Sequence, residues 1–472
     1  MIPIKLAAAL SAASLLSSPL LIAPAQEAAA SAAVSSNGVA RGNLPSGARY
    51  VIETPSDWNG TLLVWSPGYI GGPAGGEAAG GPSGAIHDWL LEEGYALAGT
   101  KPTTNGWAVE DLLRDQRDAV QVASKNLGQP EHVIAWGNSM GGLTSAALLE
   151  KYPTEFDGGL PMCGSVAGAI PMLNQGLDAS FVLKTLLAPN DDRLELVNVT
   201  NESERRAAFQ EVLNEAQRTP EGRARISLAA SMAQLPTWTQ ASDARPDTKD
   251  FAAQQLQQYK AFMFAVVSPR EPLEARAGGN FSWNTGVDYS RQLNHSGTAE
   301  LVKALYAETD ANLEDDLAQL ESAPRISADP SAVRYMQTNA TPTGDIAAPV
   351  LTLHETGDTA PTVTQARTYE DRVRSNGNND LLRQAFVDRP GHCDYTGAEI
   401  AAALTTLQQR LDSGTWRNAA TPGALNKLAA EIAADTPADL GSAGFAANKP
   451  HRMTRAEAEP AMVANHGKDG QL

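Results

Sequence analysis

Trp136-Gly137-Asn138-Ser139-Met140-Gly141-Gly142 joins an apolar run to a helical run, and the reading of this one turn decides the fold. Before it, His132-Val133-Ile134-Ala135-Trp136 has the length and branching of a buried parallel strand. After it, residues 142–152 are rich in helix formers and stop before Pro153. Strand, tight turn and helix in that order make a nucleophile elbow. There G-x-S-x-G turns the backbone so sharply that a serine Oγ stands above the sheet, at the positive end of the next helix. Gly137 and Gly141 flank Ser139 because a Cβ at either place would collide with the neighbouring strand or helix. The bare motif is weak: with 40 glycines and 30 serines in 472 residues it arises by chance about 0.2 times. The context carries the weight, since a plain glycine-rich connection needs no strand before it and no helix after it.

Outward from the elbow the same alternation repeats. Residues 35–49 are small and polar, an edge or mobile segment, and short strands follow at 50–54, 61–65 and 95–100. Helical periods occupy 87–93 and 107–127, and another strand lies at 158–164. Strand alternating with helix predicts a parallel sheet covered on both faces. The glycine-rich loop 71–84 can bring backbone NH groups close to a ligand. It contains neither G-x-x-x-x-G-K-[ST] nor G-x-G-x-x-G, so nucleotide binding gains no support.

From 169 to 345 polar helical stretches such as 201–217, 249–267 and 297–319 replace the strands, over a length too great for a loop. The sheet pattern resumes at 348–354 and 381–387 and ends in an amphipathic helix at 397–411. The predicted organisation is a core in two parts, 26–168 and 346–412, a mainly helical insertion at 169–345, and a partly disordered tail at 413–472.

The first five residues carry one positive charge, Lys5, ahead of an apolar stretch at 6–23, and Ala23-Pro24-Ala25 offers an A-x-A site. Residues 1–25 therefore read as a secretory signal peptide, and the expected location is extracytoplasmic. An uncleaved anchor is disfavoured by Pro19 and the serines that interrupt the run. The net charge of −18, or −19 without Lys5, argues against nucleic acid and anionic membranes as partners. The two cysteines, Cys163 and Cys393, form no C-x-x-C, and no His pair has zinc-finger spacing, so a structural metal has no support.

A serine hydroxyl is a weak nucleophile at neutral pH and needs a base, itself oriented by a third group. With an elbow of this type the partners follow in the order serine, acid, histidine, after the last strands. Asp358 follows the strand at 348–354, and His392 follows the strand at 381–387. Both stand at carboxyl ends of parallel strands, on the rim that carries Ser139. Glu355 competes with Asp358, and His354 competes with His392 although it belongs to the strand itself. The histidines at 87, 132, 295, 451 and 466 lack this placement.

On these residues the chain resembles the α/β-hydrolase superfamily in its serine-hydrolase branch, over residues 50–168 and 346–411, with the intervening segment corresponding to the cap that many members insert. The resemblance implies an α/β fold with a doubly wound, mostly parallel sheet. It implies Ser139 as nucleophile, His392 as general base and acid, Asp358 as the orienting carboxylate, and no metal, nucleotide or flavin cofactor. The family's oxyanion hole would here use the NH groups of Met140 and Tyr69, with Pro67-Gly68 standing where the family often has His-Gly. Tannases and feruloyl esterases place cysteines beside both serine and histidine, and this chain matches only the His392-Cys393 half, since Asn138 precedes Ser139. A Cys163–Cys393 bridge would tie the histidine loop to the sheet; two buried free thiols are the alternative.

Three functions fit this set. The first is an exported serine hydrolase that cleaves carboxylic esters through an acyl-enzyme. The second uses the same triad on short peptides, the insertion restricting entry. The third is a catalytically silent binding protein, which has no need to keep all three triad residues.

Overall fold

The computed structural model describes residues 38–72 and 75–457. The expected signal peptide lies outside the described residues, as does the end of the tail, 458–472. The antiparallel strands β1 (Gly38–Asn43) and β2 (Arg49–Thr54) lead into β3 (Thr61–Ser66), α1 (Ala85–Glu92), β4 (Ala96–Lys101) and α2 (Val109–Leu127). Then come β5 (His132–Asn138), α3 (Met140–Lys151) and β6 (Gly158–Met162). The chain next forms helices α4 (Ala169–Leu187), α5 (Glu202–Ala216), α6 (Pro220–Met232), α7 (Phe251–Ala265) and α8 (Glu271–Ala277). It continues through α9 (Tyr289–His295), α10 (Ala299–Ala307), α11 (Leu313–Ser322) and α12 (Pro330–Ala340). It returns to the sheet with β7 (Val350–Gly357), α13 (Thr364–Ser375), β8 (Leu382–Pro390), α14 (Gly397–Ser413), α15 (Pro422–Asp435) and β9 (Phe445–Ala446).

One sheet has the order β1-β2-β4-β3-β5-β6-β7-β8-β9. From β4 across to β8 the pairs are parallel, and β1, β2 and β9 close the two edges antiparallel. Alternate residues of each strand face opposite sides. Leu62, Val64, Val133 and Ala135 pack with Leu112 of α2 and Leu143 of α3. Leu63, Trp65, Ile134 and Trp136 pack on the other side with Leu90 of α1 and Leu404 of α14. Burying a large side chain on either face contributes about 1.5–3 kcal/mol, so a sheet covered twice is held from both sides. The end of α4 with α5, α6, α7, α9, α10 and α11 builds a separate apolar cluster around Phe209, Phe262, Leu228 and Tyr289, whereas Leu273 of α8 and Met336 of α12 pack into the cluster of the sheet. Among the described residues no helix is long and apolar enough to cross a membrane.

One sequence expectation is corrected. The helical stretch expected at 297–319 is two helices, because Asn312 accepts from the Asp315 amide and starts α11 afresh. Of the tail, residues 413–457 are described, and they carry α15 and β9. Helix α15 buries little beyond Leu425 and Ala429, which leaves a thin periodic signal. Beyond β9 the chain becomes a strap that binds both parts of the molecule. Arg455 pairs with buried Asp178 of α4 at 2.6 Å and donates to Trp283 O, while Arg452 pairs with Asp371 of α13 at 2.8 Å. Bonds of this kind follow no repeat along the sequence.

Candidate active site

The elbow is dictated by sterics. A Cβ on Gly137 would lie 2.3 Å from Ser66 O, and one on Gly141 would lie 1.9 Å from the same oxygen. Only glycine lets β5 and α3 approach β3 this closely. Ser139 between them adopts φ 56°, ψ −121°, a conformation that costs of order 1–3 kcal/mol and is held by its surroundings. Its amide is tied to Met162 O at 3.0 Å, and Gly142 and Leu143 donate to its carbonyl.

The structure brings the three sequence-predicted residues together across β5, β7 and β8. Ser139 Oγ lies 2.9 Å from His392 Nε2. On the other side of the ring, His392 Nδ1 lies 2.9 and 3.0 Å from the two oxygens of Asp358. In the neutral imidazole Nδ1–H donates to the carboxylate, and Nε2 accepts from the serine hydroxyl. Asp358 follows directly on β7, is fully buried, and also accepts from the Ala360 amide at 2.9 Å. Burial opposes its charge, yet His392 and His354 outweigh that and hold its carboxyl below the usual carboxylate range. Burial likewise opposes the charged imidazole, but Asp358, with a contribution from Glu355, raises the His392 pKa above its ordinary value.

Both competitors lie behind the carboxylate. His354 places Nε2 3.3 Å from Asp358 and 3.1 Å from Pro361 O, so it buttresses Asp358 and does not meet Ser139. Glu355 accepts the Asp394 amide at 2.5 Å, two residues beyond His392, and thereby anchors the histidine loop. Its burial, next to the charge of Asp358, pushes its carboxyl up to about 7. Sequence reasoning missed this anchoring role, and its only available signal was a carboxylate in the same strand end as Asp358. The loop is fixed further by Arg389, bidentate to Glu399 at 2.9 and 3.0 Å, and by the Thr396–Glu399 capping box that starts α14.

Cys163 and Cys393 form a disulfide, which joins the end of β6 to the histidine loop. Cys163 Sγ lies 3.4 Å from the Ser139 amide, and Cys393 Sγ lies 3.5 Å from His392 Nε2. Like Ser139, both cysteines have positive φ, at 43° and 59°. Among the described residues the only grouping of metal-ligating side chains is Cys163, His392 and Cys393, whose sulfurs are bonded to each other and offer no thiolate.

Met140 opens α3 and is buried. On the β3 side a Cβ on Gly68 would touch Ser139 Cβ at 3.4 Å, so the loop bearing Tyr69 runs against the serine. The Tyr69 ring is half-buried, 6.0 Å from Trp107. Two cavities flank the triad. One of about 420 Å³ lies behind Asp358, between Thr364 of the core and Gln234 of the helical part. Another of about 290 Å³ lies beside Asn138 and Cys393 and is lined by Trp65, Ile86, Tyr395 and Leu440.

No family model matches the chain. It is 31% identical over 418 residues to the o-phthalyl amidase of Xanthobacter agilis, covering 82% of this chain and 90% of that one. The chain belongs to the α/β-hydrolase superfamily. Among solved structures, this α/β-hydrolase matches an esterase from Aspergillus oryzae at 14% identity and a TM-score of 0.37, over 78% of both chains. It matches feruloyl esterase B of the same organism at 16% identity and a TM-score of 0.37, over 80% of both. Within the superfamily it is a serine hydrolase.

Proposed function

We propose that this serine hydrolase cleaves carboxylic acyl bonds through an acyl-enzyme, with Ser139 as nucleophile, His392 as proton shuttle and Asp358 as the residue that holds the imidazole. The observation that supports this is the continuous chain from Ser139 Oγ through both nitrogens of His392 to a buried Asp358, with each link at 2.9 Å. Ser139 Oγ attacks the carbonyl carbon while its proton passes to His392 Nε2. The tetrahedral oxyanion takes hydrogen bonds from the Met140 and Tyr69 amides. Collapse breaks the bond to the alcohol or amine, which leaves with the proton from Nε2, and water then repeats the sequence in reverse on the acyl-serine.

The bond can be an ester, as the sequence reading favours, or the amide of a small acid. The amide reading rests on the amidase relative, which is similar over most of both chains. The protein is proposed to work outside the cytoplasm, a reading supported by its disulfide. The test is hydrolysis of p-nitrophenyl esters and the matching p-nitroanilides by the native protein and by Ser139→Ala. Ester turnover that vanishes in the variant is the expected result, and anilide turnover above ester turnover moves the assignment to an amidase. Absence of turnover on both, with Ser139 unlabelled by a fluorophosphonate, overturns the proposal.

A further inference from the structure

Among the described residues, the most exposed large apolar side chain is Phe264, at 57%. It lies near the end of α7, in the helical part, where Phe262 and Val266 on either side are buried in that part's own core. Phe264 therefore contributes nothing to the packing that holds α7. A single exposed phenylalanine is unremarkable in itself. Its position is what matters, because its ring centroid lies 5.7 Å from that of His392, at 53° between planes. The helical part thus lays an apolar, solvent-facing surface against the residue that moves the proton.

The chemistry of acyl transfer says which part of a substrate meets that surface. The oxyanion points at the amides of Met140 and Tyr69, and the acyl carbon is bonded to Ser139 Oγ. The leaving oxygen or nitrogen must come within hydrogen-bond reach of His392 Nε2 to receive its proton. The group attached to that atom is then the part of the substrate held closest to the imidazole, the ring beside which Phe264 lies.

We infer that Phe264 forms the leaving-group subsite and recognises an apolar, aromatic alcohol or amine portion, the ring of the substrate covering the exposed ring of the protein. Aromatic pairs prefer tilted or offset contact and gain from the area they remove from water, so an aromatic leaving group is favoured over a short alkyl one. This rests on the acyl-enzyme reading above and deepens it.

The experiment compares kcat/KM for benzyl acetate and ethyl acetate, and for the matching N-benzyl and N-ethyl acetamides, in the native protein, Phe264→Ala and Phe264→Trp. An acyl-side control compares ethyl benzoate with ethyl acetate. In Phe264→Ala the benzyl-to-ethyl ratio is expected to fall about tenfold, mainly through KM, while the benzoate-to-acetate ratio changes by less; Phe264→Trp is expected to keep the benzyl preference. Equal losses on benzyl and ethyl substrates, or a fall confined to the benzoate-to-acetate ratio, overturn the inference and leave the hydrolase reading intact. Absence of turnover by the native protein on every substrate, with Ser139 unlabelled by a fluorophosphonate, overturns both.

Discussion

The rim of the sheet and the helical part that covers it are held in place by different physics. On the rim the backbone decides. Glycines 137 and 141 admit Ser66 O at distances no Cβ permits, Ser139 sits at positive φ, and the triad residues leave the ends of three parallel strands. In the helical part side chains decide. Gln258 meets Ser227, Gln257 caps Thr239 and Gln240, Arg270 pairs with Glu274 at 3.0 Å, and Arg455 reaches from the tail to Asp178. Buried polar groups of this kind are costly unless every partner is present, so they fix one arrangement of helices. The rim is thus fixed by backbone sterics, and the helical part by side-chain pairs that must all be present at once.

The largest effect should fall on the rim. Asp358→Asn is expected to lower kcat about 10⁴-fold, because the imidazole loses the acceptor that holds its tautomer, whereas Glu355→Gln should cost less than tenfold. Steady-state hydrolysis measures both. Equal losses would break the distinction between the carboxylate on the ring and the one behind it. Next, Cys163→Ala with Cys393→Ala removes a bridge spanning 230 residues and is expected to cost about 5 kcal/mol in denaturant unfolding, by chain entropy.

A comparable test of the helical part is Arg455→Met, which leaves Asp178 buried without its cation and should cost roughly 3–5 kcal/mol. Adding Asp178→Asn is expected to restore most of that loss; if it restores none, the strap acts through packing and not through charge.

A smaller effect concerns pH. The Glu355 carboxyl is raised from 4.5 to about 7 in the folded protein, so the stability linked to it is complete below 4.5 and is lost as pH rises through about 7. Glu355→Gln does not titrate. It should match the native melting behaviour near pH 4.5 and exceed it by roughly 3 kcal/mol at pH 8. Smallest of all, the acidic limb of kcat/KM should lie above the ordinary histidine pKa, since Asp358 raises that of His392 and the base must be neutral to act. A limb at or below the ordinary value would mean that burial outweighs the carboxylate.

What could be read without coordinates follows from the same contrast. Strand, elbow and helix are local, so 132–152 announced itself, and the order of the partners led to Asp358 and His392. The helical part was legible only in outline. Helix α4 buries 14 of its 19 residues and so has no polar face to reveal its period, and α8 and α9 have seven residues each.

The sequence by itself determined the alternation that makes a covered parallel sheet, the glycines that force the turn, and the residue types able to form a triad, because each is written within one element or at one element's end. Only the tertiary structure set Asp358 against the His392 ring with Glu355 behind it, joined Cys163 to Cys393 across 230 residues, turned the tail into a strap and set Phe264 against His392. Those outcomes depend on which side chains meet after the chain has closed long loops, and no local spacing encodes such meetings.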